Sequence, residues 1–270
     1  MAAIVQVTAW ERVSLWRRIP CAFARVAALM AVLIELLNLL GPPITLFAVA
    51  RWEGRKLPLV KVTPSPLTDY SVAGTPATRL SYFGFQFEVP WDAPYSEKRG
   101  NGAVWLKFDS GQTLLFKVPV EQTGLLTQIV EDKSMHMQNL RFILADLLAL
   151  SPYDQYSAIL NTTPSSVRAF GPRKDAVRSE TLLTIKALGF PGSLQTGAFS
   201  FEFPDKRGFQ IGDPQKSNRI SLKVFDIGGR HVEIFCSAAK GVKFTQPELN
   251  TILKSLHPVA DASGQSRSPN

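Results

Sequence analysis

Reactive side chains are scarce in this chain of 270 residues, which has three histidines and two cysteines. Cys21 lies beside a long apolar stretch, so the rest of the chain holds one thiol, Cys236, and no internal disulfide can form there. That fits a reducing compartment, or an exported protein that needs no cross-link. Cys236 sits in the apolar run VEIFCSA, where a buried and inert thiol is expected. In a strand it would point away from His231, five positions earlier. His136, His231 and His257 fit no zinc spacing. No G-x-S-x-G, P-loop, H-E-x-x-H or C-x-x-C occurs. The sequence therefore offers no catalytic residue, no metal ligand set and no cofactor site.

Runs of five or six like charges are missing too. The net charge is +8, of which +2 lies before Arg51, where Arg12, Arg17, Arg18 and Arg25 face Glu11 and Glu35; +6 remains for the body. Such a diffuse excess solubilises a surface or draws it to anionic lipid. It has neither the motif nor the concentrated basic face of a nucleic-acid binder.

What the chain does have is one long apolar stretch, Val26 to Ala50, with a single charge at Glu35 and a Gly41-Pro42-Pro43 break. A basic segment, residues 1–25, precedes it, in the order of an export signal. The fifteen residues Val26 to Leu40 would reach only about 22 Å as a helix, short of a hydrocarbon core of about 30 Å. A spanning helix must run through the break or start earlier. Ala48-Val49-Ala50 has the form of a cleavage site before Arg51. The expectation is an anchor in a bacterial inner membrane with the body facing the periplasm. The alternative is a cleaved signal and a secreted body.

Residues 51–78, with Pro58, Pro64 and Pro66, read as an extended tether. The globular body is expected over 79–257. Phe83 to Val89 alternates with strand period and stops at Pro90. Asp92 to Gly102 reads as a polar loop, and 103–108 with 113–120 as a hairpin around Asp109-Ser110-Gly111-Gln112. Gly124 to Lys133 is a helical turn or two, and Ser134 to Leu150 a helix with Met137, Leu140, Leu144 and Leu147 on one face. Ser151-Pro152 and Thr163-Pro164 mark two short helix starts. Lys174 to Leu188 is a further helix, against a competing strand at Leu182 to Ile185. Gly197 to Phe203 is a strand stopped by Pro204, and Arg219 to Phe225 with Arg230 to Cys236 a second hairpin. Thr245-Gln246-Pro247-Glu248 is a capping box that opens a last helix. The tail, 258–270, reads as disordered. The fold class is α+β: antiparallel hairpins packed with helices, after one N-terminal transmembrane helix or signal segment.

Two stretches resemble each other. Phe85-Gln86-Phe87-Glu88-Val89-Pro90 and Phe199-Ser200-Phe201-Glu202-Phe203-Pro204 each lead through a polar loop to a hairpin with an Asp…Gly turn. Repetitive strand chemistry accounts for this; so would a duplication giving related lobes at 79–150 and 174–257. The unit from Phe199, with its proline-stopped strand, hairpin and last amphipathic helix ending in Ser255-Leu256, resembles the terminal part of the PsbP-like family over residues 199–257. The helical middle, Gly124 to Leu188, departs from that pattern, and no functional residue carries over. The chain as a whole looks like bacterial membrane-anchored proteins.

Glu97-Lys98-Arg99-Gly100 and Asp205-Lys206-Arg207-Gly208 are alike, and both are expected in loops. Lys98, Arg99, Lys206 and Arg207, with Trp91, are the candidates for a recognition surface, and Trp105 is a further aromatic that could line one. The expected function is a non-catalytic interaction or binding module, held at the membrane by its N-terminal segment, with a protein or anionic lipid as partner and no nucleic acid. The alternative is a membrane-anchored hydrolase with dispersed active-site residues.

Overall fold

Phe85, Phe87 and Val89 alternate with Gln86 and Glu88, and that period places three large side chains on one buried strand face. The same logic, read along the chain, builds two sheets. The computed structural model describes residues 58–74, 77–119, 124–131, 140–167, 172–190, 194 and 196–259. The basic segment 1–25, the apolar segment 26–50, His136 and the tail from 260 lie outside these residues. Among the described residues no helix is long and apolar enough to cross a membrane.

The strands are β1 (Ser65–Pro66), β2 (Thr78–Tyr82), β3 (Phe85–Val89), β4 (Ser96–Gly100), β5 (Ala103–Lys107), β6 (Gln112–Lys117), β7 (Ala198–Phe203), β8 (Lys206–Ile211), β9 (Arg219–Asp226), β10 (His231–Ala238) and β11 (His257–Pro258). The helices are α1 (Leu125–Glu131), α2 (Leu140–Ile143), α3 (Ala145–Leu148), α4 (Pro152–Asn161), α5 (Arg173–Gly189) and α6 (Gln246–Ser255). Eight strands form one mixed sheet in the order β1-β7-β8-β9-β10-β6-β5-β4, in which β1 and β7 run parallel and the other pairs antiparallel. A smaller antiparallel sheet has the order β11-β3-β2. The fold is α+β, as expected.

One face of the large sheet is closed by α6 and the small sheet. Leu106, Leu114, Phe116, Leu222 and Ile234 meet Phe87, Leu249, Ile252 and Leu253 there, all fully buried. The capping box of α6 forms as expected, with Glu248 N donating to Thr245 Oγ1 and Thr245 N donating to the Glu248 carboxylate. Phe87 stacks on Phe116 at 4.9 Å. On the other face α4 lays Tyr156 and Leu160 over Phe209, Ile211 and Phe225. Its N-terminus is capped by Ser151 with Pro152 in the first turn. α1, α3 and α5 pack against α4 through Leu126, Leu144, Leu147, Ile159 and Leu182.

Several segments differ from their sequence reading. The tether expected over 51–78 is packed on the body from Pro58 on: a 3-10 turn, Pro58–Lys61, buries Leu59 and Val60, β1 joins the sheet edge, and Asn250 Nδ2 donates to the carbonyls of Asp69 and Ser71. Proline forbade a helix there, but edge pairing and burial remained open to it. The expected loop 92–102 contains β4, an all-polar edge strand that needs only the backbone ladder to β5. The expected loop after Pro204 is β8, joined to β7 by a two-residue turn. The helix expected from Ser134 is described from Leu140 only, as the two short helices α2 and α3. Thr163-Pro164 starts a three-residue 3-10 turn (Pro164–Ser166). The two hairpins, which a duplication would have put in related lobes, are neighbours in one sheet, through β6 and β10.

Gly208 in β8 marks a close approach. A Cβ there would lie 2.0 Å from the Lys223 carbonyl oxygen and 2.6 Å from Phe201 Cζ. Gly208→Ala is expected to lower stability by about 3 kcal/mol, because neither the neighbouring backbone nor the buried ring can give way. A fall in the urea midpoint would show it; an unchanged midpoint would refute the packing described.

Candidate functional site

Two tight turns shape one end of the large sheet. Pro204-Asp205 links β7 to β8, and Ile227-Gly228-Gly229-Arg230 links β9 to β10. Gly229 takes a φ of +81°, which L residues rarely adopt. Ile227 N donates to the Asp205 carbonyl at 3.2 Å and ties the two turns together. Asp226 closes the second turn by accepting from Arg230 N at 2.8 Å and Arg230 Nε at 2.9 Å. Ile227 itself stands 81% exposed.

A hollow opens on each face of the sheet beside this turn. The one under the N-terminus of α4, of about 410 Å³, has Tyr153, Phe203 and Phe225 as its floor and Glu202, Lys206, Arg207 and Asp226 around it. Tyr153 stacks on Phe209 at 5.1 Å, and the Arg207 guanidinium lies over the Tyr153 ring at 3.8 Å. Burial raises the Tyr153 hydroxyl above its ordinary pKa, with Arg207 opposing. The second hollow, of about 310 Å³, is lined by Phe85, Val224, Val232, Leu256 and Arg230. The Arg230 guanidinium lies 5.4 Å from the Phe85 centroid. Lys206, Asp226 and Ile227 line both hollows, so the two meet around the turn as a trough.

The candidate recognition residues are dispersed. Lys206 is buried, and its ammonium donates to the carbonyls of Leu256 and Lys254, closing the C-terminal end of α6, and to Asp205. Arg207 reaches the trough. Lys98 and Arg99 are on β4, five strand positions away from β8, or roughly 24 Å. Arg99 pairs with Glu97 at 2.5 Å and lies over Tyr82. Trp91 is no surface residue: it is 5% exposed, packs on Phe108 and Phe244, and donates from Nε1 to Glu248 at 2.9 Å. Its position after Pro90 suggested a loop, but the chain there passes directly beneath α6.

A charged row escaped the sequence reading. Lys117, Glu233 and Lys223 lie side by side on β6, β10 and β9, on the face toward α4. Lys223 Nζ meets Glu233 Oε1 at 2.6 Å, Lys117 Nζ meets Oε2 at 3.8 Å, and the Tyr156 hydroxyl donates to Oε1 at 3.0 Å. Burial opposes ionisation of Glu233, but the adjacent Lys223 ammonium outweighs it and holds the carboxyl below its ordinary range. Burial, with the Glu233 charge, pushes Tyr156 well up. The signal was available: the Asp226 to Gly229 turn fixes a register that sets Lys223 opposite Glu233. His231 lies on the same face, stacked on Phe225 at 5.4 Å, and burial lowers its pKa. Cys236 faces the opposite core, and burial pushes its thiol up to about 12, the inert state expected. Among the described residues no three His, Cys, Asp or Glu side chains gather as a metal group.

The row makes a pH prediction. Because the folded state lowers the Glu233 pKa, its contribution is fully present above the unfolded carboxyl range of about 4.3 and is lost as pH falls through the lower folded value. Glu233→Gln is expected to cost about 3 kcal/mol at pH 7, by leaving Lys223 without its partner, and to flatten the acid limb of the stability curve. Urea titrations across the acid range check both; an unchanged acid limb would show that Glu233 has no such role.

Comparison with protein-family models, with curated proteins and with solved structures finds no match to this chain.

Proposed function

We propose that this chain is a non-catalytic binding module that grips an extended polypeptide in the trough around the β9–β10 turn. One observation carries the reading: two adjoining hollows, one with an aromatic floor and one largely aliphatic around Phe85, rimmed by charges of both signs, Arg207 and Arg230 against Glu202 and Asp226. A ligand of one charge sign would be repelled by half of that rim. A peptide backbone with mixed side chains suits it, with an acidic side chain at Arg207 and an apolar one on Tyr153 and Phe203. The trough's serine has a structural role: Ser151 is the N-cap of α4, accepting from Asp154 N and donating to the Asp154 carboxylate. The apolar segment 26–50, which follows a basic segment in the order of an export signal, would hold this module at a bacterial inner membrane with its body outside.

Panning a peptide library against the detergent-solubilised full chain tests the reading. Enriched peptides are expected to bind Arg207→Ala and Tyr153→Ala at least about tenfold more weakly, and Lys98→Ala unchanged. Peptides that bind the trough variants as well as the parent, or an absence of enrichment, would refute it.

A further inference from the structure

Among the described residues, no helix packs on β4 or β5 over the face of the large sheet toward α4. Trp105 on β5 lies between Lys98 on β4 and Leu115 on β6, its direct cross-strand partners, and is 43% exposed. Lys107 and Lys117 flank this row on the same face, and both are exposed. Among the described residues Lys98 and Lys107 form no ion pair. The one acid on this face of β4, β5, β6 and β10 is Glu233, already held by Lys117 and Lys223. The reverse face of the same strands is sealed, with Val104, Leu106, Leu114 and Phe116 at 0% exposure.

We propose that this open face rests on an anionic lipid bilayer, with Trp105 at the headgroup level and Lys98, Lys107 and Lys117 against the phosphates. Charge complementarity selects an anionic occupant. A single tryptophan ringed by lysines matches the chemistry of the membrane interface. Nucleic acid would call for a series of exposed stacking aromatics; among the described residues of these strands Trp105 is the one exposed ring on this face, since Phe235 in the same row is partly buried in the cluster under α4. The course of the chain agrees. Leu59 packs in the cluster under α4, so the described chain enters the body on the same side of the sheet as the open face. Seven residues separate Ala50 from Pro58, a reach of at most about 25 Å. A body so closely held would lie against the bilayer. The inference thus rests on the reading of residues 26–50 as a membrane segment.

The test is a nitroxide at Thr113→Cys, on the same face, in the full chain carrying Cys21→Ser and reconstituted with vesicles. A second label at Arg79→Cys, on the small sheet, is the control. With phosphatidylglycerol present, the face label should be relaxed by lipid-soluble oxygen more than by a water-soluble nickel complex. Lys98→Glu, Lys107→Glu and Lys117→Glu together should reverse that order, as should Trp105→Ala in part, while the control label stays in water throughout. A face label that stays in water while the chain floats with the vesicles overturns the docking and leaves the anchor standing. A chain that does not float with vesicles overturns both. Equal lipid contact with phosphatidylcholine alone overturns the anionic selection. Shielding of the label by poly(U) instead of vesicles would make the face a nucleic-acid surface and overturn the proposal.

Discussion

The ladder between β6 and β10 is the contact on which the rest depends. It pairs Gln112 to Lys117 with Glu233 to Ala238, segments more than a hundred residues apart. Without it, each hairpin would end in an open edge whose apolar side chains, Phe116 on one and Ile234 on the other, had no second sheet half to share a core with. Closing so long a connection costs little more than closing a short one, since the entropy grows with the logarithm of length. The gain is a continuous face that α6 and the small sheet can cover together. α6 packs on β3, β11 returns from α6 to pair with β3, and both elements rest on strands from each side of the seam.

Register at that seam is set by charge as much as by apolar pattern. Lys117, Glu233 and Lys223 alternate with Phe116, Val232, Ile234 and Leu222 along their strands. A slip of one residue would turn the three charges into the face that holds Phe87 and expose the apolar set. The Lys223–Glu233 pair is largely buried, so its attraction is offset by the desolvation of both charges, and replacing the whole row by apolar residues could be neutral although removing one partner is costly. Their effect is on the alternative pairings, where three unpaired charges would enter a dry core at several kcal/mol each.

Legibility follows from which forces the sequence displays. The strands with strict alternation, β3, β7, β9 and β10, stand in the sequence, as do the caps at Ser151 and Thr245. β4 was hidden because an edge strand needs only backbone pairing, which Ser96-Glu97-Lys98-Arg99-Gly100 supplies without any apolar residue. β8 was hidden because polar residues occupy its buried positions: Lys206 satisfies carbonyls at the end of α6, and Gln210 bonds Gln246. The likeness of Glu97–Gly100 to Asp205–Gly208 is real in one respect. Each contributes the first strand of a three-stranded meander, β4-β5-β6 and β8-β9-β10, and the meanders meet third strand to third strand. Their side chains nevertheless fall on opposite faces. Lys98 opposes Trp105 on the open face, while Lys206 points to α6. A shared tetrapeptide therefore did not make a shared surface: Lys206 and Arg207 line the trough, while Lys98 and Arg99 lie five strand positions away.

The trough and the open face have one physical origin. Eight strands about 4.8 Å apart make a sheet roughly 34 Å across. On the side away from α6, one helix, α4, lays its side chains on the sheet, and a helix about 10 Å wide spans two strands. α1, α3 and α5 pack mainly around α4, with Leu125 of α1 and Phe190 at the end of α5 also joining the cluster on the strands. Phe190 and Leu194, after α5, border a hollow shared with Leu115 and Lys117 of β6, so among the described residues the cover thins at β6 and leaves β5 and β4 bare. At the other border, the start of α4 stops short of the β9–β10 turn and leaves Tyr153 and Phe225 as an accessible floor. Uncovered sheet of this kind has to be made polar or be used. Lys98, Lys107 and Lys117 are the polar solution; Trp105 among them is not, since a lysine or threonine would keep the strand at less exposed apolar area. An exposed tryptophan on an otherwise basic sheet is thus the residue whose presence solubility does not explain, and a surface that receives it does.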